Sequence, residues 1–338
     1  MPMTGSGASS GDADTPRPLN ALGPNVMVSS AGRRVGLVRA FQEAVRPYGG
    51  RVIATDRRPN LSAACQVADA NAEVSAIGDP SYVEQTLALA EQHSVGLVVP
   101  TLDTELLPLA RARESMASRG VHVSVPDTEL VVQCRDKRRT AALFESLGIP
   151  PLREVTDEYP RFVKPLHGSL SADSHSIPTA AELTPRLADH QVFIHQELID
   201  PSVYTEFTVD ALYDRDGHLI CAVPRRRIEV RGGEISKGRT EKGPVLDAVR
   251  DRLSTVEGAR GCLCMQFFHS PVRPERSLIG IEINARFGGG YPMSDAAGAT
   301  MARWLVEEII WNRPSGYRED WRDGLTFLRY DDQVIVGG

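Results

Sequence analysis

From Asn25 onward, short β-rich apolar runs alternate with amphipathic windows, and this alternation predicts a parallel, doubly wound sheet. NVMVSS is followed by an apolar stripe at Leu37, Val38, Phe41, Ala44 and Val45, whose spacing of three and four turns one helix face into a core. RVIATD, a helix over 82–93, VGLVVP, a helix over 106–119 and VHVSV continue the pattern, and this first unit is predicted to end near Pro126. Sheets of this kind bind ligands at the carboxyl ends of their strands, which singles out 29–34, 56–58 and 101–105.

After a predicted helix over 136–147, stopped by Gly148 and the Pro150-Pro151 pair, the pattern changes. RFVKPL, QVFIHQELI, YTEFTVDALYD, LICAVPRRRIEV, GCLCMQFF and LIGIEIN are strand-like and joined by hairpin-like turns such as DRDG, so an antiparallel α+β unit should follow the parallel one. Ala296, Met301, Leu305 and Ile309 predict a single last helix over 293–311, ending before Pro314. The expected fold class is α/β, then α+β.

Composition narrows the function. With 338 residues, 41% hydrophobic and 24% charged, the chain is long enough for two or three domain cores. A net charge of −6 leaves no basic footprint for nucleic acid, and no apolar run is long enough to span a bilayer, so neither is an expected partner. Residues 1–24 are rich in Gly, Ser, Asp and Pro and lack an apolar h-region, which reads as a disordered tail and a cytoplasmic protein. Five scattered cysteines fit reduced thiols; Cys262 and Cys264 share a strand face, but no second pair or histidine cluster supports zinc.

The densest chemistry is SLIGIEINARFGGGYP. Strand alternation puts Glu282, Asn284 and Arg286 on one face, with Ile281 and Ile283 turned to a core. A carboxylate and an amide oxygen suit a hard cation that keeps company with phosphates, and the guanidinium suits an anionic oxygen beside it. A half-buried strand with a solvated polar face would read the same way, so the neighbours decide. Lys164 closes a short strand ahead of a loop with Gly168, Ser169, Ser171 and Ala172, an arrangement suited to phosphate although no GxxxxGK[ST] motif is present. The cation-rich run over 224–242 reads either as a solvated hairpin or as a phosphate and carboxylate contact through Arg225, Arg227 and Lys237. The SSAGRR turn is a candidate anion site at a helix N-terminus, and Asp103 and Glu105 are either helix caps or holders of a substrate ammonium.

Taken in order, Asp136-Lys137, Lys164-Pro165 with its glycine-serine loop, Gln196-Glu197-Leu198, Glu206-Phe-Thr-Val, Gln266 and Glu282-Ile-Asn284-Ala-Arg286 resemble the ATP-grasp superfamily. The likeness is greatest to its carbamoyl-phosphate synthetase large-chain-like branch and covers roughly 25–312. The resemblance implies a Rossmann-like pre-ATP-grasp domain over 25–126, a small lobe with the phosphate loop over 127–195 and a large lobe with the metal site over 196–338, behind the 1–24 tail. It implies ATP and Mg²⁺, with Mn²⁺ as an alternative. Lys137 and Lys164 would contact phosphates under a loop including Gly168 and Ser169, Glu197 and Leu198 would form the adenine hinge, and Glu206 would hold the ribose. Gln266, Glu282 and Asn284 would be the metal ligands. Gln266 departs from the carboxylate of many superfamily members but agrees with the synthetase branch. Arg286, with Arg227 and Lys237, would serve the transferred phosphoryl group and the carboxylate.

The resulting expectation is an ATP-dependent carboxylate–amine ligase that forms an amide through an acyl phosphate, releases ADP and phosphate, and takes an amino acid or specialised metabolite. Its partners would be a small carboxylate and a small amine, and homodimerisation is common in related enzymes. Two alternatives stand beside it: a non-catalytic nucleotide-binding module, and a nucleotide-cofactor dehydrogenase suggested by TDRR after the second strand, though SSAGRR lacks G-x-G-x-x-G. No GxSxG, HExxH or Cys-His signature calls for a protein nucleophile.

Overall fold

The computed structural model describes residues 23–168 and 173–337. The predicted tail, except its last two residues, and the loop positions Ser169, Ser171 and Ala172 therefore lie outside the described residues. Strands β1 (Asn25–Ser29), β2 (Val52–Asp56), β3 (Ala70–Glu73), β4 (Val95–Pro100) and β5 (His122–Val123) form a parallel sheet in the order β3-β2-β1-β4-β5. Helices α1 (Val35–Val45), α2 (Ala63–Val67), α3 (Tyr82–Gln92) and α4 (Asp103–Ala117) connect its strands. The apolar stripe read from the sequence is the buried face of α1, and β4 is buried at every position, as a strand covered on both faces must be. Helix α4 begins three residues before the apolar pattern does, because Glu105 caps it by accepting from the Leu102 amide.

Helices α5 (Thr128–Arg135) and α6 (Lys137–Ser146) then lead into a three-stranded antiparallel sheet, β7 (His175–Ile177), β6 (Arg161–Pro165) and β8 (Phe193–Glu197), in the order β7-β6-β8. The remaining strands are β9 (Thr205–Tyr213), β10 (Leu219–Arg231), β11 (Glu234–Thr240), β12 (Gly261–His269), β13 (Leu278–Asn284) and β14 (Thr326–Leu328). They make an antiparallel sheet in the order β13-β12-β9-β10-β11-β14, with α7 (Pro244–Arg252) packed against β10. The last helix expected over 293–311 is two, α8 (Tyr291–Ala296) and α9 (Met301–Ile309). Gly298 between them takes a φ of +105°, a conformation that ends one helix and lets the next begin.

Two cores of unequal size set the site's position. One continuous apolar cluster joins the parallel sheet to the six-stranded sheet, whereas the three-stranded sheet covers a separate small one made of Val163, Ile177, Leu187 and Phe193. Helix α6 packs on the larger core: its Phe144 lies edge-on against Phe267 and so close to Gly280 of β13 that a Cβ there would meet the ring at 2.5 Å. The cleft between the small and large sheets holds the polar residues singled out from the sequence.

Candidate active site

Register places the three oxygen-bearing side chains together. Gln266 on β12 is paired with Glu282 on β13, and Asn284 follows two residues later on the same face. Gln266 Nε2 donates to Glu282 Oε1 at 2.7 Å and Asn284 Nδ2 donates to the same oxygen at 3.1 Å. Among the described residues Glu282 Oε2 makes no hydrogen bond, so the carboxylate keeps one oxygen for a further partner. One carboxylate and two amide oxygens, with Lys164 and Lys137 electrostatically coupled to Glu282, form a donor set that fits a hard divalent cation bound next to phosphate.

Arg286 lies just beyond the end of β13 instead of on the strand, because its amide turns back to donate to the Asn284 carbonyl at 2.8 Å. Its side chain nevertheless returns to the cluster. Nη2 donates to Asn284 Oδ1 at 3.2 Å and to Asp103 Oδ2 at 2.8 Å, which ties the site to the N-terminus of α4. Burial pulls this guanidinium's pKa down, but Asp103, Cys264 and Glu282 outweigh it, and the net shift is upward. Ile283 is buried as predicted, while Ile281 is half-buried and lines the cleft.

Lys164, on β6, is almost fully buried, and desolvation together with neighbouring Lys137 lowers its pKa to about 8 despite Glu282 and Glu206. Lys137 opens α6, where Asp136 caps the helix, and its Nζ donates to the Gly168 carbonyl at 3.1 Å, at the edge of the expected phosphate loop. Glu206 is pushed up by burial and opposed by Arg227, whose Nη1 approaches its carboxylate to 2.8 Å and donates to Gln266 Oε1 at 3.3 Å. Glu197 turns its carboxylate to Arg276 and to the Arg153 amide at 2.8 Å, and the half-exposed Leu198 follows it. Together Lys164, Glu197, Leu198, Glu206, Gln266 and Glu282 line a cavity of about 570 Å³, a size suited to one small-molecule ligand.

Not every sequence candidate arrives here. Lys237, expected beside the transferred phosphoryl group, is half-exposed on β11, and its Nζ pairs with Glu229 at 2.7 Å; the hairpin register carries it away from the cleft. Arg225 lines the small cavity beside Glu282 and Arg286, but it is fully buried in an ion pair with Asp210 at 2.9 Å, and Asp210 also accepts from Ser294 Oγ at 2.6 Å, so this arginine holds β10 to β9 and α8. Glu105 is fully buried too, accepting from Ser29 Oγ, Ser30 Oγ, Tyr82 Oη and the amides of Thr101 and Leu102. It is a structural cap with no capacity left for an ammonium. Asp56 accepts from the amides of Gly32 at 3.0 Å and Arg58 at 3.1 Å, which occupies the carboxylate that a dinucleotide ribose would need.

The structure adds residues that the sequence did not place. Arg34 reaches in from the SSAGRR turn to a small cavity of about 80 Å³ shared with Arg227, Glu282, Asn284 and Arg286. Burial and the like charge of Arg286 lower its pKa, with Glu234 and Asp103 opposing. Its place in a candidate anion turn was readable; its partners were not. Arg276 and Arg153, which fix Glu197, carried no sequence signal.

A family model described as "PylC-like, N-terminal domain" matches residues 26–124, and one described as "ATP-grasp in the biosynthetic pathway with Ter operon" matches 202–331. No match is found among curated protein sequences. Solved structures share the fold at low identity. The biotin carboxylase domain of 2-oxoglutarate carboxylase from Hydrogenobacter thermophilus, complexed with MgADP, ADP and bicarbonate, is 15% identical over 90% of this chain and 73% of that one, with a TM-score of 0.67. N5-carboxyaminoimidazole synthetase from Staphylococcus aureus, complexed with ADP, is 12% identical over 87% and 79%, with a TM-score of 0.66. The L-amino acid ligase of Bacillus licheniformis is 15% identical over 84% and 73%, with a TM-score of 0.61. The fold expected from the sequence, a Rossmann-like unit followed by a two-lobed ATP-grasp fold, is the fold observed.

Proposed function

We propose that the chain, whose residues 202–331 match an ATP-grasp family model, is an ATP-dependent carboxylate–amine ligase. The observation that carries the reading is the single polar cluster in which Gln266, Glu282, Asn284 and Arg286 meet beneath the buried Lys164. We assign the pre-ATP-grasp domain to 25–126, the small lobe to 127–195 and the large lobe to 196–338.

In this reading ATP occupies the 570 Å³ cavity, with its adenine against the Glu197–Leu198 backbone, its ribose at Glu206 and its phosphates toward Lys137, Lys164 and Gly168. Ser169 completes the loop in the resemblance. Gln266, Glu282 and Asn284 would hold Mg²⁺, which when bound supplies charge neutralisation to the phosphates. A carboxylate oxygen of the substrate attacks the γ-phosphorus as the bond to the ADP oxygen breaks, giving an acyl phosphate. The amine nitrogen then attacks the acyl carbon, phosphate leaves and the nitrogen loses its proton. Arg286 and Arg34 hold the anionic oxygens of the carboxylate and the transferred group, and Arg227 spans the ribose carboxylate and Gln266. Because Arg286 is buried and fixed by Asp103, its charge is positioned before the reaction begins, which is where such sites gain most of their rate. Side chains that align both reactants and exclude water suffice; no protein nucleophile is required.

The five unpaired cysteines accord with a reducing compartment, and we place the protein in the cytoplasm. No helix among the described residues is long and apolar enough to cross a membrane. Purified protein given ATP, Mg²⁺ and a pooled library of carboxylates and amines should release ADP together with a product whose mass is that of two library members less water. ADP release without a condensed product, or release that persists in Glu282→Gln, would overturn the ligase assignment.

A further inference from the structure

Three cavities lie in series through the cleft. The nucleotide cavity shares Arg227, Gly233, Gln266 and Glu282 with the small cavity fronted by Arg34 and Arg286. That small cavity in turn shares Glu234, Ile235, Gly289 and Gly290 with an outer chamber of about 700 Å³ between the start of α1, β11 and the segment after β14. The junction is open only because of glycine. A Cβ on Gly289 would stand 2.9 Å from Arg34 Nη1 and 3.0 Å from the Glu234 carboxylate, and one on Gly290 would overlap Arg225.

The chamber's charges are largely spent on each other. Glu234 receives Arg33 at 2.9 Å and Arg329 at 2.7 Å, and Arg231 pairs with Asp331 at 2.5 Å. Besides Arg39 and Asp332, the wall carries an apolar stretch of Val35, Pro292, Met293, Phe327 and Leu328. The inner cavity, at about 80 Å³, has room for a carboxylate and the oxygens it reacts with but not for an organic body.

Resting on the ligase reading above, we propose that the substrate is a carboxylate with an extended apolar body, its carboxylate passing the Gly289-Gly290 junction to Arg34 and Arg286 and its body filling the outer chamber. The direction follows from charge: the half-buried Arg34 and the buried Arg225 and Arg286 front the junction, so the anionic end enters first. A bicarbonate-sized substrate would leave the chamber without an occupant.

Hydroxylamine tests this without knowledge of the natural amine. Its nitrogen attacks the acyl carbon of any acyl phosphate formed, phosphate leaves, and a proton is released to give a hydroxamate. The full chain, with MgATP and hydroxylamine, would be assayed with acetate, phenylacetate and 4-phenylbutyrate, and with bicarbonate by ADP release. We expect kcat/KM to rise at least about tenfold from acetate to 4-phenylbutyrate, as burial of the added apolar surface requires. Ala63→Trp, which fills the chamber wall, should collapse that ratio while binding of a non-hydrolysable ATP analogue reports an intact fold. Equal or better use of acetate or bicarbonate would overturn the chamber assignment alone. A ratio unaltered in Ala63→Trp would move the body to the cavity on the other side of Glu282, past Asp103 and Lys137, and would overturn it too. Absence of hydroxamate and ADP with every carboxylate, in protein that binds the analogue, would remove the ligase reading and this inference with it.

Discussion

The carboxyl edge of the parallel sheet and the polar face of the six-stranded sheet both carry glutamates among serines, amides and arginines, yet they use them in opposite ways. Around Glu105 five donors converge on two oxygens, and the carboxylate is wholly buried. Around Glu282 two amides share one oxygen, and among the described residues the other has no hydrogen bond. A glutamate at the edge of a sheet is thus not a site by position alone; what separates the two is unspent bonding capacity. The parallel sheet still contacts the cluster, because Asp103 pairs with Arg286 and Arg34 lines the inner cavity.

The sharpest way to break this comparison is to exchange the losses. Glu105→Ala should cost at least about 3 kcal/mol of stability, since it strands several buried donors that would each cost about 1–3 kcal/mol. Denaturant midpoints will show it, and a loss under about 1 kcal/mol would mean the cap is not what holds β1 to β4. Asp103→Asn keeps the shape but removes the charge that fixes Arg286. Turnover should fall between about 10- and 100-fold with nucleotide affinity unchanged, and steady-state kinetics that instead showed only a raised KM for ATP would make Asp103 a nucleotide contact.

Lys164 gives a pH signature. Its folded-state pKa is depressed to about 8 by burial, so below that pH the free protein presents an ammonium and above it a neutral amine. Phosphates favour the ammonium, so affinity for an ATP analogue should weaken as pH rises through this value, by up to about tenfold per unit, with uptake of a proton. Calorimetry in buffers of different ionisation enthalpy would detect that proton, and none above pH 8 would mean the lysine does not meet the phosphates. The smallest effect belongs to Lys237→Ala, which breaks only the exposed pair with Glu229 and should change stability by no more than about 0.5 kcal/mol, with turnover intact.

Much of this was legible in the sequence, and the reasons are physical. Strand alternation and register are local properties, so the shared face of Glu282 and Asn284 followed from spacing, and the helical stripe of α1 from its period. The parallel sheet and the antiparallel one announced themselves by their connections. Long-range pairings did not. Nothing near Glu197 in the chain points to Arg276, 79 residues away, and nothing near Asp103 points to Arg286, 183 residues away. Strand β14 is three residues long and too short for a periodic signal, and it forms an edge only because β11 accepts it. Lys237 and Arg227 belong to one basic run, and only the β10–β11 register decides that one faces the cleft and the other solvent. The single last helix failed at Gly298, where the apolar pattern continued across a backbone conformation that helices do not contain.

The most direct test of the central claim needs no substrate. Binding of a non-hydrolysable ATP analogue would be measured by calorimetry with and without Mg²⁺, in the native protein and in Glu282→Gln. Mg²⁺ should strengthen binding to the native protein, and the variant should lose this increment while keeping its metal-free affinity. A variant that retains the full Mg²⁺ dependence, or a native protein indifferent to the ion, would contradict that claim.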